Sequence, residues 1–237
     1  MSGAARSPHY PVFLDLTGRL CVVVGGGRAA ERRARSLVAC GADVVVVTAG
    51  PSEELLEMCA EGTLTIEQRG YVRGDLEGAF LVFCVGCSDE IAAAVRAEAD
   101  ERNCLVNVSD APRLTSFLVP SVVDRGALRI AVSTGGVSPE AARRARAAIA
   151  ATLGDEWTAY VALAAEVRAL VFARPGTDEA RALLLHRLAA IDLPARIAAG
   201  ETPTAKGVLA ELESAVDEAA DAPADTAAPD DADVERP

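Results

Sequence analysis

Lysine is nearly missing from this chain: Lys206 is the only one among 23 basic residues. Aromatic residues make up 4% of the sequence, and histidine occurs only at His9 and His186. No apolar run approaches the ~20 residues that span a bilayer. Each shortage excludes something. Amine chemistry has one late candidate, and the Tyr-x-x-x-Lys pair of short-chain dehydrogenases is missing, since Tyr71 leads to Asp75 and Tyr160 to Ala164. Metal ligation by imidazole has little to use. With so few rings, the core must be built from Ala, Val and Leu. The formal charge of −12 argues against nucleic acid as a partner, because phosphate binding needs concentrated Lys and Arg. Residues from Asp217 onward hold eight acids and one arginine, so the body is only mildly acidic. The start of the chain lacks a signal-peptide pattern. The six cysteines (Cys21, Cys40, Cys59, Cys84, Cys87 and Cys104) lie in apolar segments, as buried thiols do in a reducing compartment. A cytoplasmic protein with no membrane partner is expected.

What is present is an alternation of strands and helices. Arg19–Val24, Asp43–Thr48, Thr63–Glu67, Phe80–Val85 and Cys104–Val108 read as strands. Between them Arg28–Cys40, Ser52–Ala60 and Asp89–Arg102 carry helical spacing, the first closed by Gly41 as its C′ residue. This alternation predicts an α/β fold with a Rossmann-type parallel sheet. Phe117–Val123 and Leu128–Ser133 then read as a β-hairpin turning at Asp124-Arg125-Gly126, and Ser138-Pro139-Glu140 starts a helix. Asp155 to about Ala199 is helical, with a break at Arg174-Pro175-Gly176, and the composition beyond Val216 falls to Ala, Asp and Pro. The expected organisation is therefore a Rossmann domain over 1–112, a small β-hairpin/helix region over 113–153, a helical C-terminal region over 154–200, and an acidic, disordered tail over 201–237.

Gly25-Gly26-Gly27-Arg28-Ala29-Ala30 fits G-x-G-x-x-A directly between a strand and a helix. In that context the first glycine permits the tight turn and the second lets a pyrophosphate approach the backbone. The small last residue lets helix and strand pack closely. The acid expected about 20 residues on, to grip an adenine ribose, is missing: the second strand ends Val47-Thr48-Ala49-Gly50. NAD and NADP both stay open on this feature. Cys84-Val85-Gly86-Cys87 has the C-x-x-C form of redox and half-zinc motifs, but no second cysteine pair or histidine is nearby. No metal site is expected.

A second cluster follows the fifth strand, where ligands sit in open α/β sheets. Asn107-Val108-Ser109-Asp110-Ala111-Pro112 leads to Ser116-Phe117, Pro120-Ser121 and Asp124-Arg125-Gly126, then to Ser133-Thr134-Gly135-Gly136-Val137-Ser138-Pro139. With the glycine turn, this ordered series resembles the precorrin-2 dehydrogenase/sirohydrochlorin ferrochelatase family, the N-terminal half of siroheme synthases, over roughly residues 10–170. The fused methyltransferase domain of some members has no counterpart in this sequence.

The resemblance implies NAD-dependent oxidation of precorrin-2 to sirohydrochlorin by a homodimer, with residues 113–153 serving dimerisation and substrate. Some members also insert Fe²⁺ to give siroheme. It maps the catalytic carboxylate onto Asp110, which alone would read as an Asx-turn before Pro112. A carboxylate there could take a proton while NAD⁺ takes the hydride. The cofactor contacts implied are Gly25, Gly26, Gly27, Arg28, Ala29, Thr48, Ala49, Gly50 and Val85. Those for the tetrapyrrole are Asn107, Arg113, Ser116, Thr134, Gly135 and Gly136. Precorrin-2 carries eight carboxylates, so Arg125, Arg129, Arg143, Arg144 and Arg146 join Arg113 as candidate cations. Thr134 stands where some relatives carry serine, and Val85-Gly86-Cys87-Ser88-Asp89 departs from their Ala-Thr-Asp-like loop. A dimeric NAD(H)-binding redox sensor without catalysis is the alternative, although a sensor has no reason to keep Asp110 and the Ser133–Pro139 turn together.

Overall fold

The computed structural model describes residues 9–109 and 111–221. They group into two compact units, 9–120 with 133–142, and 121–132 with the described residues from 143 onward.

The first unit is built on a five-stranded parallel sheet in the order β3-β2-β1-β4-β5. Its strands are β1 (Leu20–Gly25), β2 (Asp43–Val47), β3 (Thr65–Glu67), β4 (Leu81–Val85) and β5 (Leu105–Val108). The central strands are apolar without alternation because both faces are covered: every residue of β4 is buried, and so are Cys21 to Val24 of β1. Successive side chains point to opposite faces. Cys21 and Val23 therefore join one core with Ala30, Ala34 and Leu37 of helix α1 (Gly27–Val38) and Leu55 of α2 (Glu53–Ala60). Val22 and Val24 join a second core with Ala92, Val95 and Ala99 of α3 (Asp89–Glu101). The hydroxyls of Ser52 and Ser88 accept from the N–H groups of Leu55 and Ile91, capping α2 and α3. Gly41, with φ +74°, closes helix α1 as expected: its N–H donates to Val38 O at 2.9 Å and the Ala42 N–H to Leu37 O at 3.2 Å, the paired bonds of a Schellman turn with Gly41 at C′.

The chain runs outward from β1 to β3, then returns to the other side of β1 for β4 and β5. The strand order therefore reverses between β1 and β4, and loops leaving their carboxyl ends diverge to leave a crevice. Beyond β5, Pro112–Leu114 forms a short 3-10 turn. Thr115 to Phe117 then runs back along β5: the Ser116 N–H donates to Val106 O at 2.8 Å, and the Phe117 ring meets Phe83 edge-on at 5.4 Å.

That attachment shortens the expected hairpin. Its strands are β6 (Ser121–Arg125) and β7 (Leu128–Val132), not Phe117–Val123 and Leu128–Ser133. Phe117 is held by the Rossmann sheet. Arg125 pairs with Leu128, which places the link at Gly126–Ala127. The units also depart from the boundaries expected at 112 and 153: the first unit runs on to Pro120 and includes Ser133–Ala142, while the hairpin groups with the second.

Helix α4 (Pro139–Thr152) is capped by the Ser138 hydroxyl, which accepts from Ala141 N–H at 3.1 Å. In the second unit α5 (Glu156–Ala173), α6 (Asp178–Ala190), α7 (Leu193–Ala198) and α8 (Ala205–Asp221) form a helical cluster. Leu163, Val167 and Val171 of α5 pack with Leu193 of α7 and with Ala205, Val208, Leu209 and Leu212 of α8. The tail expected from residue 201 is corrected by α8. Its apolar residues recur at helical spacing and cover α5, which outweighs its acidic composition. The remainder of that tail, 222–237, lies outside the described residues. No described helix is long and apolar enough to cross a membrane.

Candidate cofactor and active site

The glycine turn sits at the reversal of strand order. Gly25 has φ +115°, and a Cβ there would lie 1.9 Å from the Val85 carbonyl oxygen, so no other residue lets β1 and β4 close together at this point. At Gly26 the backbone is extended, but a Cβ would meet Thr48 Oγ1 at 3.0 Å and Gly50 O at 3.4 Å. The two bare positions thus form a cradle walled by the loops after β2 and β4. Gly27 has φ +69° and open space around it. Helix α1 starts here with no side-chain cap on Gly26 and no acid in its first turn. Its N-terminal N–H groups and positive dipole end suit a phosphate. A pyrophosphate therefore fits the chemistry of this cradle.

The structure brings the expected cofactor residues to this edge in different ways. Arg28, Ala49 and Gly50 are exposed and Ala29 is half-buried. Thr48 is buried at 6% exposure, and its hydroxyl accepts from Gly50 N–H at 3.3 Å, which shapes the second loop. Val85 is fully buried. Its side chain belongs to the core, and only its carbonyl reaches the glycine turn.

The β5 cluster is organised by hydroxyl-to-backbone bonds. Ser116 Oγ accepts from Val106 N–H at 2.9 Å, and the Asn107 side-chain amide donates to Phe117 O at 2.9 Å. Both side chains, expected on the tetrapyrrole, hold the returning segment against β5. Thr115 was not singled out from sequence. Its hydroxyl accepts from Val108 N–H at 3.0 Å and lies within hydrogen-bond reach of the Val108 and Ala111 carbonyls, at 3.1 and 3.4 Å. It grips both sides of the loop that carries Asp110, which itself lies outside the described residues. A threonine next to Ser116-Phe117 was visible, but a bond to a residue seven positions back follows no periodicity. Ser109 N–H donates to Cys84 O at 2.9 Å, tying the same loop to β4. Arg113 is exposed on the 3-10 turn.

Thr134, Gly135 and Gly136 form a separate tight turn before α4. Thr134 Oγ1 donates to Ser138 O at 2.9 Å and accepts from Ser138 N–H at 3.1 Å, and both glycines have positive φ. The threonine hydroxyl is thus engaged within its own turn. Among the other candidate cations, Arg125 donates to Leu153 O and Ala150 O, which satisfies the last carbonyls of α4. Arg129 pairs with Asp124 across the hairpin at 3.3 Å.

Comparison with known proteins agrees with this layout. A family model described as NAD(P)-binding matches residues 12–121. A siroheme synthase of Methylobacillus flagellatus is 40% identical over 171 residues, covering 72% of this chain and 37% of that protein. One from Nitrosococcus oceani is 32% identical over 201 residues, covering 85% and 43% respectively. The chain thus spans about two fifths of the length of these curated relatives. The solved structure of SirC, a precorrin-2 dehydrogenase, superposes with a TM-score of 0.74 at 26% identity, covering 87% of this chain and all of that one.

Proposed function

We propose that this chain, as a member of the precorrin-2 dehydrogenase/sirohydrochlorin ferrochelatase family, the N-terminal part of siroheme synthases, oxidises precorrin-2 to sirohydrochlorin with NAD⁺ as hydride acceptor. The observation that carries this reading is the cradle at Gly25 and Gly26, open to an uncapped helix start and walled by the loops after β2 and β4. Bound there, NAD⁺ supplies the acceptor for a hydride. Gly25, Gly26, Gly27, Arg28 and Ala29 hold the pyrophosphate through their N–H groups. Thr48, Ala49, Gly50 and the Val85 carbonyl line the same groove. No carboxylate stands at the end of β2, where Val47 leads into Thr48-Ala49-Gly50, to select the ribose, so an assay must compare NAD⁺ with NADP⁺.

Asp110 is proposed to take the proton that leaves precorrin-2 as the hydride departs. Arg113 and the Thr134-Gly135-Gly136 turn at the start of α4 are proposed to receive its carboxylates. Asn107 and Ser116 hold the returning segment against β5 and are proposed as further contacts of the tetrapyrrole. Fe²⁺ is proposed as the substrate of a second step that yields siroheme. The protein is proposed to work as a homodimer in the cytoplasm; the exposed apolar side chains of Tyr10, Val12, Phe13 and Leu14 offer surface to a second copy.

The test is anaerobic: purified protein with enzymatically generated precorrin-2 and NAD⁺, following NADH and the pigment spectrum, then Fe²⁺ against an enzyme-free control. Conversion to sirohydrochlorin is expected, and its absence with dinucleotide binding intact would overturn the reading. Asp110→Ala should abolish turnover while leaving NAD⁺ binding; retained turnover would remove Asp110 from the mechanism.

A further inference from the structure

Cys84 and Cys87 take no part in the chemistry above, yet they stand at the wall of the proposed dinucleotide cradle. Cys84 is near the end of β4 and is 1% exposed; Cys87 is half-buried and packs against the core to which Cys84 belongs. Between them Gly86 has φ +65°, a left-handed turn that brings the chain round in two residues. The Cys87 thiol donates to Val24 O at 3.4 Å and lies 3.7 Å from Val85 O. It is also 3.4 Å from where a Gly25 Cβ would stand. Ser88, the next residue, is the N-cap of α3, so Cys87 sits just ahead of a helix start.

We propose that Cys84 and Cys87 form a reversible dithiol/disulfide pair that controls dinucleotide binding through the Val85–Cys87 wall of the Gly25 turn. The site is one for thiol–disulfide exchange with a low-molecular-weight disulfide of the oxidised-glutathione class. The Cys87 thiolate attacks one sulfur of that disulfide, forming a mixed disulfide and releasing one small thiol. Cys84 then loses its proton and attacks Cys87 Sγ, releasing the second small thiol and closing the Cys84–Cys87 bond. Two protein thiols are oxidised and one small disulfide is reduced to two thiols.

The roles follow from placement. Cys87 is the reachable sulfur, and a hydrogen bond from Cys84 holds its thiol below the ordinary cysteine value. Cys84, hydrogen-bonded to Cys87 and buried, is pushed well above it and serves as the resolving thiol. Closing the bond withdraws the Cys87 sulfur from Val24 O and pulls on Val85 and Gly86. With a Gly25 Cβ position only 1.9 Å from Val85 O, any shift of that carbonyl reshapes the cradle directly.

This inference rests on the dinucleotide site of the proposed function, so the experiment reads disulfide and binding separately. The full chain is treated with oxidised glutathione, alkylated, digested and mapped by mass spectrometry; NAD⁺ is titrated before treatment, after it, and after dithiothreitol. The expected result is a peptide with Cys84 joined to Cys87, an NAD⁺ affinity weakened about tenfold, a modest change on the scale of binding free energies, and full recovery on reduction. Cys87→Ser should bind NAD⁺ equally well before and after treatment, and Cys84→Ala should stop at a glutathione adduct on Cys87. Glutathione found only on other cysteines overturns the proposal, and so does a Cys84–Cys87 bond that leaves affinity unchanged. A reduced protein that does not bind NAD⁺ overturns the dinucleotide reading and this control of it, whereas the peptide map still reports whether the pair forms.

Discussion

Gly25→Ala should damage the fold more than any other change in the glycine turn. Its φ of +115° lies where a residue with a Cβ is strained, at a cost of about 1–3 kcal/mol. The new methyl carbon would sit 1.9 Å from Val85 O, where ordinary contact begins near 3.4 Å. Either β1 or β4 must then move by more than an ångström. Gly25 and Val85 are register partners between central strands, so relief means breaking that pairing; such overpacking costs about 1–3 kcal/mol more. Together the loss is about 2–6 kcal/mol, against a typical domain stability of about 5–15 kcal/mol. Gly27→Ala meets no atom and bears only its left-handed φ of +69°, about 1–2 kcal/mol. Gly26→Ala has ordinary extended backbone and one tight contact at 3.0 Å with Thr48 Oγ1. It should keep its stability within about 1 kcal/mol but fill the cradle and lose NAD⁺ affinity. Thermal unfolding should show a midpoint fall of roughly 4–24 °C for Gly25→Ala. Hydrogen exchange should localise the loss to peptides from β1 and β4, with peptides from α5 as the reference. Equal stability of Gly25→Ala and Gly26→Ala would refute the reasoning.

Three further outcomes follow from the described contacts. Thr115→Val leaves Val108 N–H without its acceptor and should cost about 1–3 kcal/mol; in the dehydrogenase assay kcat should fall while NAD⁺ affinity holds, and Thr115→Ser should restore most of it. Burial would raise the carboxyl of Glu98, but hydrogen bonds from Tyr71, the Gly74 N–H and Arg102 outweigh it and hold the group below its ordinary value. Its folded pKa is therefore depressed: the stabilisation is present above the unfolded value and lost as pH falls through the folded one. Unfolding free energy measured from neutral pH down through the carboxylate range should fall more steeply for wild type than for Glu98→Gln. Leu212→Ala removes a side chain that is 1% exposed at the centre of the α5–α8 cluster; calorimetry should show a loss of about 2–5 kcal/mol in the helical unit.

The amino-acid sequence by itself determined the parallel sheet, the glycine turn and the starts of several helices. A central strand covered on both faces must be apolar throughout, so β1, β2 and β4 are visible as runs of Val, Leu and Cys. Glycines required by a positive φ or a close approach announce the turn. Caps at Ser52, Ser88 and Ser138 are bonds to residues three positions on, well within the reach of local pattern. What tertiary structure alone decided depends on partners distant along the chain. Phe117 leaves the hairpin because Phe83 and β5 hold it. Helix α8 folds from an unpromising composition because α5 needs its apolar stripe covered. Arg125 is drawn to the carbonyls at the end of α4. Thr115 and Glu98 acquire their roles from backbone that only the folded chain brings within reach. Periodicity records how each segment is solvated, whereas hydrogen-bond partners are chosen by where the chain returns to itself.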